Sequence, residues 1–284
     1  MILPGFTSPN STTLRRAVPF HDDMDNLLGK WSTSGELALW FGSVLSGIVF
    51  CKLVYEISKG LSPATFPGYN KLKKTEKVEW NNRAFSTAHA LVSSAIAFYL
   101  LYISDIFQDS APYGPVVFRS SILSQFGLGF SCGYFMADMG MIVSFYPILG
   151  GYEFLLHHLV SMISLLLAVH SGHAHLYLYI VLLSECTTPF INLRWYLTVL
   201  GLKNSDTYMY NASFTAFLWL VARVINFVYC FHHMYLHFDQ VRQLHTAGFV
   251  FLLLAPTSLG LMNFFWFYKI VNGVLRTLNR KHAA

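Results

Sequence analysis

The stretch GGYEFLLHHLVSMISLLLAVHSG, residues 150–172, puts two adjacent imidazoles, His157 and His158, near the start of an otherwise apolar run. On a helix, residues three and four apart share a face. Glu153, His157, Ser161 and Ser164 therefore make one polar stripe, while His158 turns about 100° away. The next apolar run carries Glu185, Thr188 and Asn192 at similar spacing, followed by Arg194. A neutral imidazole beside a carboxylate is the arrangement of a general base, or of a nucleophile that accepts an acyl group, with the carboxylate fixing the tautomer. On that reading His157 or His158 is base or acyl acceptor, and Glu185 orients it. Two other readings use the same residue types. Imidazoles and hydroxyls can bond between membrane helices as packing contacts worth about 0.6 kcal/mol each, or His and carboxylates can hold iron or zinc. The spacing assigns no metal, because adjacent histidines face different ways and the repeated His-x-x-His-His boxes of membrane di-iron enzymes are missing.

These groups sit in a chain of 284 residues that is 54% hydrophobic and only 12% charged, against about 25% charged in a soluble domain. Seven apolar segments, at roughly 36–57, 84–104, 116–137, 152–170, 174–200, 212–236 and 247–272, are each near or above the ~18–20 residues that cross a bilayer as a helix. Runs this long without alternation exclude barrel strands. The expected fold is an all-α membrane protein of seven transmembrane helices. Segments four and five meet at Ser171-Gly172-His173, which predicts a tight helical hairpin that brings their polar faces together. The second segment adds Ser86, His89 and Ser93, the third Asp138 at its end, the sixth Arg223 and Asn226, and the seventh Asn263. An ionisable group in hydrocarbon costs about 3 kcal/mol or more unless it faces a partner or a wet cavity. His89, Asp138, Thr188, Asn192, Arg194, Arg223 and Asn263 are therefore expected to line one polar cavity.

The net charge of +5 does not point to nucleic acid, because Lys and Arg lie in short segments between apolar runs and form no stripe with interleaved aromatics. The four cysteines each fall inside an apolar run without metal-ligand spacing and read as buried hydrophobes. Lys59, Lys71, Lys73, Lys74, Lys77 and Arg83 around the first inter-helix loop, and Arg276, Arg280 and Lys281 at the C-terminal end, place both regions in the cytosol. Residues 1–35 then form a flexible lumenal tail that lacks the pattern of a cleaved signal. That tail carries the glycosylation sequon Asn10-Ser11-Thr12, with Arg15, Arg16 and Lys30 running against the charge rule. A second sequon, Asn211-Ala212-Ser213, is expected in a cytosolic loop and hence unused.

The pattern EWNNRAFSTAHAL (79–91), GYFMADM (133–139), HHLVS (157–161), SECTTPFINLRWYL (184–197), Ala222-Arg223-Val224 and NFFWFYKIVNG (263–273) resembles the TLC domain family, named for the Tram, Lag1 and CLN8 proteins. The resemblance implies a domain over 36–280, with residues 281–284 as a cytosolic end, and six of seven helices arranged around a lipid-accepting cavity. It implies a multi-pass protein of the endoplasmic-reticulum or Golgi membrane that acts in lipid homeostasis. Its partner is a membrane lipid or acyl-lipid substrate, and a second copy in a homo-oligomer is left open. Ceramide synthases share the domain more distantly and acylate sphingoid bases from acyl-coenzyme A. Their paired histidines correspond to His157 and His158. Their next helix carries His-Asp and then a further Asp, whereas this chain reads Ser184-Glu185 and Thr188-Pro189, so one carboxylate is kept and one is absent. The resemblance therefore implies no cofactor, acyl-coenzyme A as a substrate if acyl transfer occurs, and a non-enzymatic lipid-binding, lipid-regulating or cargo-handling role as the alternative. In sealed microsomes the C-terminus should be accessible to protease and residues 1–30 protected; both ends protected, or both exposed, would contradict an odd number of spans.

Overall fold

The computed structural model describes residues 34–282. The N-terminal tail with its Asn10 sequon and basic residues lies outside the described residues. Among the described residues seven helical spans follow one another: span 1 Leu37–Thr65, span 2 Lys74–Ile103, span 3 Ile122–Ser144, span 4 Tyr152–Ser171, span 5 His175–Val199, span 6 Asp206–Leu236 and span 7 Thr246–Arg276. Even the shortest, 20 residues, is about 30 Å long and matches the hydrocarbon core. Among the described residues there is no strand. The loops after spans 1, 3 and 5 and the end of span 7 share one end of the bundle, with Lys71, Lys73, Lys74 and Arg276 exposed there; we refer to it as the basic end.

Several boundaries differ from the sequence expectation: span 1 runs on to Thr65 and span 2 already starts at Lys74, and local chemistry sets the starts of spans 3 and 6. Span 3 starts at Ile122 rather than near 116, because Ser121 caps it. The Ser121 hydroxyl accepts from the Ser124 amide at 3.1 Å while the Ser124 hydroxyl accepts from the Ser121 amide at 2.7 Å, satisfying two otherwise orphaned donors. The helix then runs to Ser144, so Asp138 lies within the helix and not at its end. Span 6 starts at Asp206 behind the Ser205 cap. The second sequon is consequently not in a loop: Asn211 is a buried helical residue whose Nδ2 donates to the Phe190 carbonyl at 2.8 Å.

Gly172 (φ 69°) and Ala174 (φ 61°) turn the chain between spans 4 and 5 through two left-handed residues. The hairpin exists, but it is not tight along its length. Span 4 packs mainly on spans 3 and 7, and span 5 on spans 2 and 6. The two helices diverge from their turn, and the space between them is a cavity. Two irregular stretches face each other beside it. Span 5 tightens into a 3-10 turn over Ser184–Thr187 just before Pro189, and span 6 widens into a π turn over Leu220–Ile225 around Arg223. Such bulges re-aim side chains and often mark functional positions.

Span 3 is the central helix, with 61% of its apolar window buried against 17% for span 1. Span 1 lies outermost and exposes Leu45, Val49, Leu53, Ile57 and Leu61 at four-residue spacing, a lipid-facing stripe. It docks on span 3 through small residues: a Cβ on Gly47 would meet the Phe130 carbonyl, one on Gly129 the Ser43 side chain, and one on Gly133 the Val44 carbonyl. Without a hydrophobic drive between helices in lipid, such close backbone approach carries the packing. Gly133→Leu should therefore lower thermal stability in detergent by about 1–3 kcal/mol, whereas Gly140→Leu, whose Cβ would meet nothing within 4 Å, should leave the melting temperature within error of wild type.

Candidate functional site

Six spans surround the cavity, and no span 1 residue lines it. It has two chambers that share Phe135, His157, Glu185 and Arg223 as a common wall. The first, about 870 Å³ when the space open to its surroundings is counted, is apolar, with Leu165, Leu178, Phe227, Leu252, Pro256 and Leu259 among its lining residues, and it reaches Leu244 and Gly248 at the end opposite the basic one. Its wall on span 4 extends from His157 to Ala168, about 16 Å at helical rise. That is roughly half the ~30 Å hydrocarbon core, the depth of one leaflet's acyl chains. The second chamber, about 1350 Å³ out to its mouth, is the more polar of the two. Asn82, Asp138, His158, Thr188 and Asn192 line it, and Glu79, Arg83, Arg194 and Lys269 stand on it at the basic end.

Three hydrogen-bonded clusters set the polar walls. In the first, Asp138 of span 3 takes up His158 of span 4: Nε2 lies 2.8 Å from Oδ2, and His158 Nδ1 is 2.8 Å from the Phe154 carbonyl. Asn82 donates to Oδ1 at 2.7 Å and the Tyr134 hydroxyl to Oδ2 at 3.2 Å. Both His158 nitrogens face acceptors, so neither is free for a substrate. In the second, Glu185 accepts from Thr188 Oγ1 at 2.7 Å and from Arg223 Nη2 at 3.3 Å, while Arg223 also donates to Thr187 Oγ1 at 2.7 Å and Asn263 Oδ1 at 3.4 Å. Here the 3-10 turn of span 5 meets the π turn of span 6. In the third, Arg83 donates to Glu79 at 2.7 Å and to Asn192 Oδ1 at 2.9 Å, with Asn192 Nδ2 donating to Thr87 Oγ1 at 2.9 Å. Trp195 caps the Arg83 guanidinium at 4.8 Å.

His157 is left over. It is half-buried, lines both chambers, and sits between Trp266 and His158 at ring distances of 5.7 and 5.4 Å. Among the described residues its buried Nδ1 has no hydrogen-bond partner. An unpaired imidazole at the junction of an apolar slot and a polar vestibule can accept a proton, attack a carbonyl carbon or bond a lipid head group.

The sequence-derived candidates fall into place unevenly. His157, His158, Glu185, Asp138, Thr188, Asn192, Arg194, Arg223 and Asn263 all reach the cavity. His89 does not. It is fully buried between spans 2 and 3, bonded to Ser131 Oγ at 3.2 Å and stacked 3.7 Å behind the Tyr134 ring. Glu153 also leaves the predicted stripe for a separate outer groove, while His157, Ser161 and Ser164 stay on the cavity. The expectation that Glu185 orients a histidine is corrected: Glu185 is engaged by Arg223 and Thr188, and the carboxylate that holds a histidine is Asp138. The reason is the divergence of spans 4 and 5, which puts the cavity where the pairing was expected. The Arg83 latch and Trp266 had not been assigned to the site, although Arg83 carries a cation close to the start of an apolar run.

A family model of the TLC domain (Tram, Lag1, CLN8) matches residues 79–272. The chain is 24% identical over 238 residues to human TLC domain-containing protein 4, covering 83% of this chain and 89% of that one. It is 27% identical over 241 residues to TLC domain-containing protein 4-B of Xenopus laevis, 84% and 90% covered, and 27% identical over 214 residues to TLC domain-containing protein 4 A of Dictyostelium discoideum, 74% and 80% covered.

Removing one partner of a buried ion pair strands the other, at about 3–5 kcal/mol. His158→Ala and Asp138→Asn should each destabilise the protein to that extent, and the double variant should lose clearly less than the two losses summed. His157→Ala and Glu185→Ala, which remove groups with no mutual hydrogen bond, should combine additively in the same thermal-unfolding cycle.

Proposed function

The chain belongs to the TLC domain family, and from that premise we propose a multi-pass membrane protein of lipid homeostasis that draws one acyl chain into the apolar chamber and presents its polar or reactive end to His157. The observation that carries this is the position of the unpaired His157 imidazole on the wall shared by both chambers. An acyl chain lying along the apolar lining from Leu252 and Leu165 toward Phe135 would bring its carbonyl carbon to that level. Orientation follows the positive-inside rule: the basic end faces the cytosol of an endoplasmic-reticulum membrane. The vestibule then opens where acyl-coenzyme A is found, and Arg83, Arg194 and Lys269 near its mouth suit the phosphates of such a donor.

Acyl transfer at this site takes two steps. A lone pair of neutral His157 attacks the thioester carbonyl carbon, the C–S bond breaks, and the ring N–H proton leaves with the thiolate as a thiol. A hydroxyl or amine acceptor then attacks the acyl-imidazole carbon, the C–N bond breaks, and the acceptor's proton returns to the ring. Arg223, aimed into the junction and shared with Glu185, supplies positive charge near the developing oxyanion. The engagement of Glu185 by Arg223 and Thr188 favours a second reading, in which no carboxylate supports His157 as a base and the cavity binds lipid without turnover.

Intact mass of the purified protein after exposure to a long-chain acyl-coenzyme A separates the two. Acyl transfer predicts a covalent adduct of one acyl group, absent in His157→Ala and retained in Cys186→Ala; the second reading predicts a bound lipid and no adduct. No lipid and no adduct, with His157→Ala fully restoring the lipid profile of deficient cells, would overturn both.

A further inference from the structure

At the end of the bundle opposite the basic one, two histidines and a carboxylate converge outside the cavity. His233 lies in the last turn of span 6 and His237 follows it by four residues, so their rings stack at 4.2 Å, inclined by only 13°. Asp109, exposed on the loop between spans 2 and 3, puts Oδ1 3.7 Å from His233 Nε2 and 3.2 Å from His237 Nε2. All three donor atoms lie within 4.8 Å of one another. We propose that Asp109, His233 and His237 form a three-ligand site for a zinc-type divalent cation.

The geometry carries this in three ways. Zinc bonds of about 2.0–2.1 Å to nitrogen and oxygen in a tetrahedron separate the donor atoms by about 3.3 Å, and the two carboxylate–imidazole separations bracket that value. The far nitrogen of each ring is already tied: His237 Nδ1 is 3.1 Å from the His233 carbonyl, and His233 Nδ1 is 3.2 Å from the Tyr177 hydroxyl. The carbonyl can only accept, so it keeps a proton on His237 Nδ1 and leaves Nε2 for a metal, while the Tyr177 hydroxyl steadies the His233 ring, as the outer shell of zinc sites does. The loop that brings Asp109 is also held in shape. Buried Arg119 donates to the carbonyls of Gly114, Ile106, Gln108 and Ala111 at 2.7–3.0 Å, and Gln240 accepts from the Val117 amide at 3.2 Å. Two histidines and one carboxylate leave the fourth tetrahedral position for water. The expectation of no metal rests on the adjacent histidines of span 4, the missing histidine boxes and the cysteine spacing, none of which involves Asp109, His233 or His237. The cation would staple the 104–121 loop to span 6, directly outside Tyr177, which also lines the apolar chamber.

Isothermal titration of Zn²⁺ into the full chain, purified in detergent without a histidine tag, tests the site. Wild type should bind one tight equivalent and gain thermal stability with it, and Co²⁺ should give the visible spectrum of a tetrahedral site. Asp109→Asn, an exposed change that leaves the helices intact, and His237→Ala should each weaken binding at least tenfold, while His157→Ala should not. Wild-type affinity no tighter than that of the His233→Ala, His237→Ala double variant, or binding unchanged in Asp109→Asn, would overturn the assignment.

Discussion

An ionised side chain inside a hydrocarbon layer must find an opposite charge, hydrogen bonds or water, and this requirement shapes the whole bundle. Two inter-helix pairs meet it, Asp138 with His158 and Glu185 with Arg223. The first joins spans 3 and 4, and the second joins spans 5 and 6. Each is surrounded by further donors and acceptors, so that a buried pair is satisfied rather than merely neutralised. Once these four groups are committed, the His157 Nδ1 remains on the cavity wall as a buried ring nitrogen without a hydrogen-bond partner among the described residues.

The backbone irregularities follow from the same requirement. A regular span 5 would carry its Glu185 face past span 6 at a fixed pitch. The 3-10 turn over Ser184–Thr187 and the π turn around Arg223 adjust both helices locally, so that carboxylate, guanidinium and the hydroxyls of Thr187 and Thr188 meet. The contacts that close the bundle are elsewhere: glycine-mediated docking of span 1 on span 3, and the Arg83–Asn192 latch at the basic end. Between them, spans 4 and 5 separate from a single turn and leave an amphipathic cavity. Its apolar part is one leaflet deep and its polar part is floored by fixed charges, a division that matches the two ends of an acyl lipid.

The seven spans, and the inward position of polar residues such as His157, Glu185, Asn192 and Arg223 on one cavity, were legible in the sequence, because apolar run length and the energetic cost of intramembrane polarity are local signals. Pairing was not, because it depends on which helices touch. Depth along the helices nevertheless encodes it. Asp138 lies six residues before the end of span 3 at Ser144, and His158 six residues after the start of span 4 at Tyr152. Helices joined by a short loop thus hold both groups about 9 Å from the same end. Glu185, ten residues into span 5, and Arg223, thirteen before the end of span 6, likewise share a level near the middle. His89 misled because a histidine on an apolar helix looks the same whether it faces a cavity or a stacked tyrosine. Asp109 carries no such signal, because its partners are remote in sequence and come together only through the fold.

The central claim is that an acyl chain lies between spans 4, 5, 6 and 7 with its head at His157. A fatty acid bearing a diazirine near its methyl end, incorporated into membranes with the protein and photolysed, tests this directly. The account predicts cross-links at the deep wall of the apolar chamber, at residues such as Tyr177, Leu178, Phe251 and Leu252, and their suppression when a bulky Ser164→Trp substitution fills the slot. Cross-links confined to the lipid-facing stripe of span 1, at Leu45, Val49, Leu53, Ile57 and Leu61, and indifferent to Ser164→Trp, would contradict it.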